Sequence, residues 1–331
     1  MGQSTVIMII ISAYPRLHVT LIAMNNLGYR INGGIGFAID NPSISFSASP
    51  SDEFELVDNR DNKLEESQLR VLKNLIDSIK LNLNFCKNVS IAINGEMPTH
   101  SGFGSGTIVR LSCIEALYQI NNVEYTEDKI ISLSGRGGTS GIGVRTYFHG
   151  GFVFDIGHKK SSKILPSNMV EDLHRNSLLV ENGKMPNWEI GICIPKDMKS
   201  ISQMEEQVFF KNTIPISNAS VFETLYHVVY GLYAAIKEND IYTFSKALKE
   251  LQDCHWKYSE RGLYGEKIKQ YESILYNCGA LSVGMSSLGP CLFFTADNIN
   301  SVIENVSNSQ YSNNLTLLKS NALNRGRIVS I

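Results

Sequence analysis

Met97-Pro98-Thr99-His100-Ser101-Gly102-Phe103-Gly104-Ser105-Gly106-Thr107 is the stretch on which the reading of this chain turns. Its glycines alternate with small, hydroxylic or aromatic residues. It runs straight into Ile108-Val109-Arg110-Leu111-Ser112-Cys113-Ile114-Glu115-Ala116-Leu117, whose apolar residues recur at helical spacing. Just upstream, Val89-Ser90-Ile91-Ala92-Ile93 alternates as a strand does. The unit is strand, glycine-rich turn, helix. Glycine lets backbone come close to a ligand, and a helix start offers unpaired N–H groups with partial positive charge. Phosphate is the natural occupant, although a lone turn of this kind can equally be structural.

The whole chain sets the bounds. At 331 residues it exceeds the size at which single cores usually stop growing, so two domains are expected, 1–165 and 166–331. Hydrophobic residues make up 43% and charged residues 19%, the balance of a soluble globular protein. A formal net charge of −2 gives no electrostatic case for nucleic acid. The six cysteines (Cys86, Cys113, Cys193, Cys254, Cys278, Cys291) form no C-x-x-C pair and have no clustered histidines. Neither a zinc site nor a disulfide framework is legible from them, and reduced thiols in a cytoplasmic protein are expected. The run Val6-Ile7-Met8-Ile9-Ile10-Ile11 is too short to span a bilayer and lacks a basic flank. It reads as a buried first strand, with no membrane partner.

Residues 7–11, 18–23 and 35–39 are β-rich, and Asn32-Gly33-Gly34 carries a hairpin-turn signal. Leu64, Leu69, Leu72, Leu75, Ile76, Ile79 and Leu83 predict an amphipathic helix. A short helix over 126–133 should precede Ser134-Gly135-Arg136-Gly137-Gly138-Thr139-Ser140-Gly141-Ile142-Gly143, with a strand at 151–156. The polar stretch 158–186 reads as a linker or flap, and 188–194 as a buried strand. Helical patterns over 217–237, 240–253 and 262–277 lead to glycines at 279–289, a strand at 291–295 and a last helix at 299–307. Strands and helices do not alternate regularly, which argues for an α+β fold.

Glycine clusters thus fall at 102–106, 135–143 and 279–289, each with hydroxyl side chains; the second holds Arg136, with Arg145 just beyond. Glycines bunched with Ser, Thr and Arg at strand–helix junctions are what a polyphosphate site needs. The order of the clusters resembles the GHMP kinase superfamily of small-molecule kinases. Its second motif, P-x-x-x-G-L-G-S-S-A-A, matches 98–107 in register, with Phe103 for Leu. Its third motif is a late glycine-rich loop before a strand, as at 279–289. The resemblance covers almost the whole chain. It implies an N-terminal α+β domain with a left-handed βαβ unit, a ferredoxin-like C-terminal domain, and a ligand between them.

Two departures from the kinases matter. Many of them carry S-G-x-D, whose Asp is the catalytic base; here Ser140-Gly141-Ile142-Gly143 puts glycine at that place. Glycine cannot accept a proton or orient a hydroxyl nucleophile. Ser105-Gly106-Thr107 also replaces Ser-Ser-Ala, moving a hydroxyl often used for magnesium. These departures resemble one branch, the β-ribofuranosylaminobenzene 5′-phosphate synthases. The likeness rests on Arg16-Leu17-His18, Asn32-Gly33-Gly34-Ile35-Gly36, the first two glycine clusters, His149-Gly150-Gly151-Phe152 and Gly284-Met285-Ser286-Ser287-Leu288-Gly289-Pro290. Asn32 and Ile108 depart from the Asp and Gln usual in that family.

The resemblance implies condensation of phosphoribosyl pyrophosphate with an aromatic carboxylate such as 4-aminobenzoate, releasing pyrophosphate and CO2 and leaving a C-riboside. Related enzymes make C-nucleosides from heteroaromatic carboxylates. An ATP-dependent small-molecule kinase of the same fold, and an inert nucleotide-binding protein on the same scaffold, are the competing readings. Gly102, Gly104, Ser105, Gly106, Thr107, Arg136, Ser140, Gly141 and Arg145 are the expected phosphate and pyrophosphate ligands. Arg16, His18 and His149 are the catalytic candidates, and Gly33, Gly34, Ser286 and Ser287 are expected to line the substrate pocket. Arg16 and His18, at i and i+2 on a strand, share a face and suit a carboxylate or phosphate; a surface arginine beside a core-edge histidine is the plainer alternative. Mg²⁺ is expected to arrive on pyrophosphate, with no metal ligand assigned. His100 is a weaker candidate that a hydrogen bond to a neighbouring turn explains equally well, Asp155 is either a metal or orienting carboxylate or a structural partner, and Trp188 reads as core; Glu205-Glu206 resembles an acidic pair of the synthases, although acidic pairs on helices are usually solvated. A homodimer is common among enzymes of this size.

Overall fold

Alternation at 89–93 and apolar runs elsewhere build three sheets, in which strands with one buried face alternate in and out. The computed structural model describes residues 8–26, 28–160, 164, 166 and 177–331. The first sheet has the order β14 (Ile328–Ser330), β1 (Ile9–Ala13), β4 (Ile44–Ser51), β6 (Asn88–Gly95), β5 (Glu55–Asp58). It is antiparallel except for the parallel β5–β6 pair, whose crossover carries α1 (Glu66–Asn82). The second has the order β2 (Arg16–Ala23), β3 (Arg30–Ala38), β7 (Phe152–Asp155), β9 (Leu179–Gly183), with β8 (His158–Lys159) also on β3. The third, β11 (Ser282–Met285), β12 (Leu292–Thr295), β10 (Glu189–Pro195), β13 (Leu315–Asn321), is antiparallel throughout. Counted along the chain that order is second, third, first, fourth, the ferredoxin-like arrangement.

The helices follow their caps and apolar stripes. A capping box between Glu65 and Gln68 opens α1, and Leu72, Ile76 and Ile79 are its buried stripe. By contrast α2 (Ser105–Ile120) buries almost every side chain, including Glu115, and lies against β1, β6 and β4. Thr126 caps α3 (Glu127–Ser134), which ends at left-handed Gly135 and is followed by α4 (Ile142–His149). The second half adds α5 (Gln203–Thr213), α6 (Asn218–Tyr226), a π-helical stretch (His227–Tyr233), α7 (Ala234–Glu238), α8 (Ile241–Asp253), α9 (His255–Gly262), α10 (Gly265–Asn277) and α11 (Ile299–Ser307).

One core joins the halves. Phe37 of β3 packs edge-on against Phe244 of α8 and Phe293 of β12, both at 6.3 Å, and Trp188 lies 5.1 Å from Phe244. Each such buried ring contributes roughly 1.5–3 kcal/mol of burial free energy. Trp188 is therefore a core residue.

Several expectations are corrected. Asn32-Gly33-Gly34 lies inside β3 and is not the hairpin turn, since Ala23 pairs with Asn32 and the chain reverses before it. Asn32 and Gly33 both have positive φ, +67° and +82°, a kink within the strand that mimics a turn signature. The first strand is buried on one face only, with Ile10 40% exposed; Ile7 lies outside the described residues. Of the expected linker 158–186, residues 161–163, 165 and 167–176 lie outside the described residues, while β8 and β9 are strands. The third glycine cluster conceals β11, and α4, α5 and α9 are helices that the sequence reading does not assign. No helix among the described residues is long and apolar enough to cross a membrane.

Candidate active site

Every glycine cluster reaches the same short strand, β2, at Arg16 and His18. In the first cluster Gly102 and Gly104 take φ of +94° and +81°, which glycine adopts without strain. A Cβ on Gly102 would fall on the Ser286 carbonyl oxygen, and one on Gly104 would sit 3.3 Å from the Arg16 guanidinium. The loop is pinned to β2 by the Arg16 N–H donating to Phe103 O (3.1 Å) and by Arg16 Nη1 donating to Gly102 O. Ser105 Oγ accepts from the His100 N–H at 3.2 Å, so its hydroxyl shapes the loop from within. No side chain caps α2. Its first N–H groups are left for an anion, as at many phosphate-binding helix starts.

The second cluster supplies the other wall. Arg136 follows Gly135, and its Nη2 would lie 3.4 Å from a Cβ on Gly106. Two guanidiniums, Arg16 and Arg136, thus flank the start of α2. The Nε of each is buried without a hydrogen-bond partner among the described residues. Burial pulls both down to about 10; Glu260 opposes this at Arg16, while Arg110 adds to it and Glu206 opposes it at Arg136. Both remain cations at neutral pH, and an anion placed between them would offset their desolvation. A Cβ on Gly143 would meet Thr107 at 3.7 Å and Arg16 Nε at 3.9 Å, so position 143 faces the same space.

The third cluster closes the site. Ser286 Oγ accepts from the His18 N–H (3.0 Å) and donates to Gly102 O (2.7 Å), and the Ser287 N–H donates to His18 O (2.9 Å). These serines latch the two halves together across β2. The His18 Nε2 lies 3.1 Å from Ser140 Oγ, while its Nδ1 has no partner among the described residues. Burial, then Arg16 and Lys257, hold His18 well below the usual imidazole range, so it is neutral. Gly33 and Gly34 sit beneath the site: the Gly33 N–H donates to Thr139 O at 3.3 Å, and a Cβ on Gly34 would meet Ile142 at 3.2 Å. They act by letting backbone and Ile142 through. Asn32 Oδ1 is also buried without a partner among the described residues.

Arg145 and His149 are not brought to this cluster. His149 Nε2 pairs with Glu127 at 2.8 Å, and Arg145 reaches Glu127 and Asp128 at 3.9 and 3.6 Å. With Asn182, Lys184 and Asn324 they border a separate cavity of about 490 Å³. His100 contacts Gln68 at the outer edge of the first loop. Asp155 holds backbone in place, its oxygens accepting from the Gly141 and Gly157 N–H groups at 2.9 Å each. Burial nonetheless raises it to about 6.

Two residues that carry no sequence signal complete the picture. Lys257 on α9 is fully buried and donates to Glu260 (2.5 Å), Met285 O (2.7 Å) and Ser287 O (3.4 Å). Glu260 also accepts from Trp256 Nε1 at 2.8 Å. Burial pushes the lysine down and the carboxyl up, and their mutual contact opposes both shifts. Spaced i, i+3 on a helix, the pair resembles an ordinary surface salt bridge, and no pattern in the sequence distinguishes it. Glu205 and Glu206 part company: Glu205 caps α5 with Ser202, whereas Glu206 turns toward Arg136 and is raised mainly by burial. Glu205 is exposed as expected, whereas Glu206 is only partly exposed and lies within electrostatic reach of Arg136.

The buried titratable groups give acidification a defined sign. With His18 depressed, the unfolded chain takes up a proton near pH 6.5 that the folded chain refuses. Its contribution is full above that pH and is lost as pH falls below it. Raised Asp155 works oppositely, adding stability as pH falls through about 6 toward its ordinary value near 3.8. Between pH 7.5 and 5.5, His18→Asn should therefore remove roughly 1 kcal/mol of acid destabilisation relative to wild type. Urea midpoints of both proteins at the two pH values measure it; equal pH slopes would mean His18 is not held neutral.

Comparison with known proteins now fixes the lineage. The GHMP kinases N terminal domain matches residues 68–151 and the GHMP kinases C terminal domain matches 232–313. Among solved structures, homoserine kinase from Cytophaga hutchinsonii superposes with a TM-score of 0.68 at 17% identity, covering 100% of this chain and 99% of that one. Mevalonate diphosphate decarboxylase from Staphylococcus aureus gives 0.64 at 15% identity, covering 97% and 98%. At these identities they show the fold alone. The β-ribofuranosylphenol 5′-phosphate synthase of Archaeoglobus fulgidus is 31% identical over 86% of both chains. That of Methanothermobacter thermautotrophicus is 29% identical over 88% of this chain and 90% of its own. This chain belongs to the β-ribofuranosylphenol 5′-phosphate synthase family, built on the GHMP kinase fold.

Proposed function

We propose that this protein joins the phosphoribosyl group of phosphoribosyl pyrophosphate to an aromatic carboxylate, with loss of pyrophosphate and CO2. The observation that carries the reading is the match to synthases of that product over 86% of each chain. The site agrees with it. A diphosphate placed at the start of α2 lies between Arg16 and Arg136, two cations preorganised to take the charge of a leaving pyrophosphate. The anomeric C–O bond breaks with its electrons going to pyrophosphate. The ring carbon bearing the carboxylate then bonds to the anomeric carbon. Finally the ring–carboxylate bond breaks, its electrons return to the ring, and CO2 departs. If Nε2–H of His18 donates to Ser140, its Nδ1 keeps a lone pair for a hydroxyl or amino group on the acceptor. The relatives' name carries a phenol, so a hydroxybenzoate is the first acceptor to test.

Mg²⁺ would supply further charge neutralisation on the pyrophosphate. Asp155 is engaged by two backbone N–H groups and Glu260 by Lys257 and Trp256. Among the described residues Glu206, within electrostatic reach of Arg136, is a carboxylate that would be able to hold it, which suits an ion that needs one or two carboxylates besides phosphate.

The deciding experiment incubates the chain with Mg²⁺, phosphoribosyl pyrophosphate and carboxyl-labelled 4-hydroxybenzoate or 4-aminobenzoate. Labelled CO2 released one-for-one with pyrophosphate is expected. Phosphoryl transfer from ATP without CO2 release would overturn the reading in favour of a kinase.

Position 143 offers a sharper contrast. Its surroundings leave room for a Cβ, so Gly143→Asp should fold with little change in melting temperature. Its carboxylate would stand beside Arg16 and neutralise it. Synthase activity should drop by on the order of tenfold or more, without the gain of kinase activity. Restored ATP-dependent phosphorylation of a small alcohol would mean the scaffold lacks only that base.

A further inference from the structure

Away from the cleft, three side chains of metal-binding type meet on two neighbouring helical segments, and a fourth lies against one of them. Glu223 lies on α6 and His227, four residues on, opens the π-helical stretch. Glu250 lies on α8, and Cys254, again four residues on, caps that helix. Residues four apart share a helix face, so each helix presents a pair. Donor atoms of Glu223, His227 and Cys254 all lie within 4.8 Å of one another. Glu250 Oε2 is 3.5 Å from His227 Nδ1. Cys254 is 1% exposed, whereas Glu223 and Glu250 reach solvent. The set thus runs from wet carboxylates to dry sulfur, which gives an ion a way in. Widened π-helical turns are frequent at functional positions, and this one starts at His227.

We propose that Glu223, His227, Cys254 and Glu250 form a tetrahedral site for a zinc-class divalent cation. The donor chemistry selects it: thiolate and imidazole suit zinc, whereas magnesium and calcium ask for oxygen alone. Donor atoms around zinc stand about 3.3–3.8 Å apart, so the three grouped donors would draw together on binding and Glu250 would join them from beside His227. On binding, the thiol proton leaves to solvent and a metal–sulfur bond forms, with no change of oxidation state. The ion would tie α6 to the corner between α8 and α9, one turn before Lys257. It takes no part in the proposed ribosyl transfer, and it stands or falls separately.

The test uses the full chain, stripped with EDTA and titrated with Co²⁺. A thiolate-to-cobalt charge-transfer band saturating at one equivalent, displaced by Zn²⁺ and absent in Cys254→Ser, is expected. Zinc affinity, read by competition with a chromophoric chelator, should fall on the order of tenfold or more in Glu223→Gln and in His227→Ala. Glu223 is exposed, so its variant keeps the test informative should the buried cysteine variant fail to fold. No band in the wild-type chain, a band retained in Cys254→Ser, or unchanged zinc affinity in both Glu223→Gln and His227→Ala would overturn the proposal.

Discussion

Arg136→Ala is expected to weaken binding of pyrophosphate and of phosphoribosyl pyrophosphate by roughly 10- to 100-fold. That is about 1.5–3 kcal/mol, the usual worth of a hydrogen bond to a charged group. This arginine is a buried cation. Its Nε is buried with no partner among the described residues, and burial has already drawn it down to about 10. Arg110 works in the same direction, and Glu206 opposes it. Such a group is costly in the free protein and is offset when an anion arrives between it and the start of α2. Removing it should therefore leave the melting temperature unchanged or higher while binding collapses, the reverse of a structural arginine. Arg136→Lys keeps the charge but not the fork, so it should restore part of the affinity. Calorimetric titration with pyrophosphate beside thermal melts checks both halves. Unaltered affinity would place the diphosphate elsewhere.

How far the sequence discloses this site depends on the physics of each residue. The glycine clusters are legible because close backbone approach and positive φ leave few alternatives, as at Gly102 against the Ser286 carbonyl. Arg16 and His18 are legible as one face of a strand. What local pattern cannot carry is the direction of a long side chain. Arg145 and Arg136 look alike beside the second cluster, yet Arg145 faces the acidic start of α3 and Arg136 faces α2. His149 goes with Arg145, because one helix turn sets both on the same side. Glycines mislead in the other direction too: at Asn32 and Gly33 a kinked strand writes the same residues as a turn. Lys257 and Glu260 are invisible for a different reason. Their spacing is that of countless exposed pairs, and burial is decided by the packing of distant chain.

Charge accounts for the architecture around β2. Arg16 and Lys257 both act on neutral His18, whose ring is held by Ser140, while Arg136 faces the start of α2. Lys257 is engaged by Glu260 and two carbonyls, so it shapes the Met285–Ser287 backbone without reaching the ligand space. That backbone in turn carries Ser286, which holds Gly102 in place. Among the described residues Arg16 and Arg136 are then placed to answer a substrate's charge.

Lys257→Met should consequently destabilise the fold by about 3–5 kcal/mol, the usual cost of leaving one partner of a buried ion pair behind. Glu260 would keep the Trp256 N–H and lose its cation, and the Met285 and Ser287 carbonyls would lose a donor. Glu260→Gln, which removes the orphaned charge, should recover much of the loss when combined with Lys257→Met. A coupling of 1 kcal/mol or more in this cycle is on the order expected for contacting groups. Denaturant melts of the four proteins measure the cycle. Pyrophosphate affinity gives the second readout: if Lys257 acts by fixing the third glycine cluster, affinity should track the recovery in stability across the cycle. Affinity lost in Lys257→Met and not restored in the double variant would make the lysine a direct ligand of the substrate.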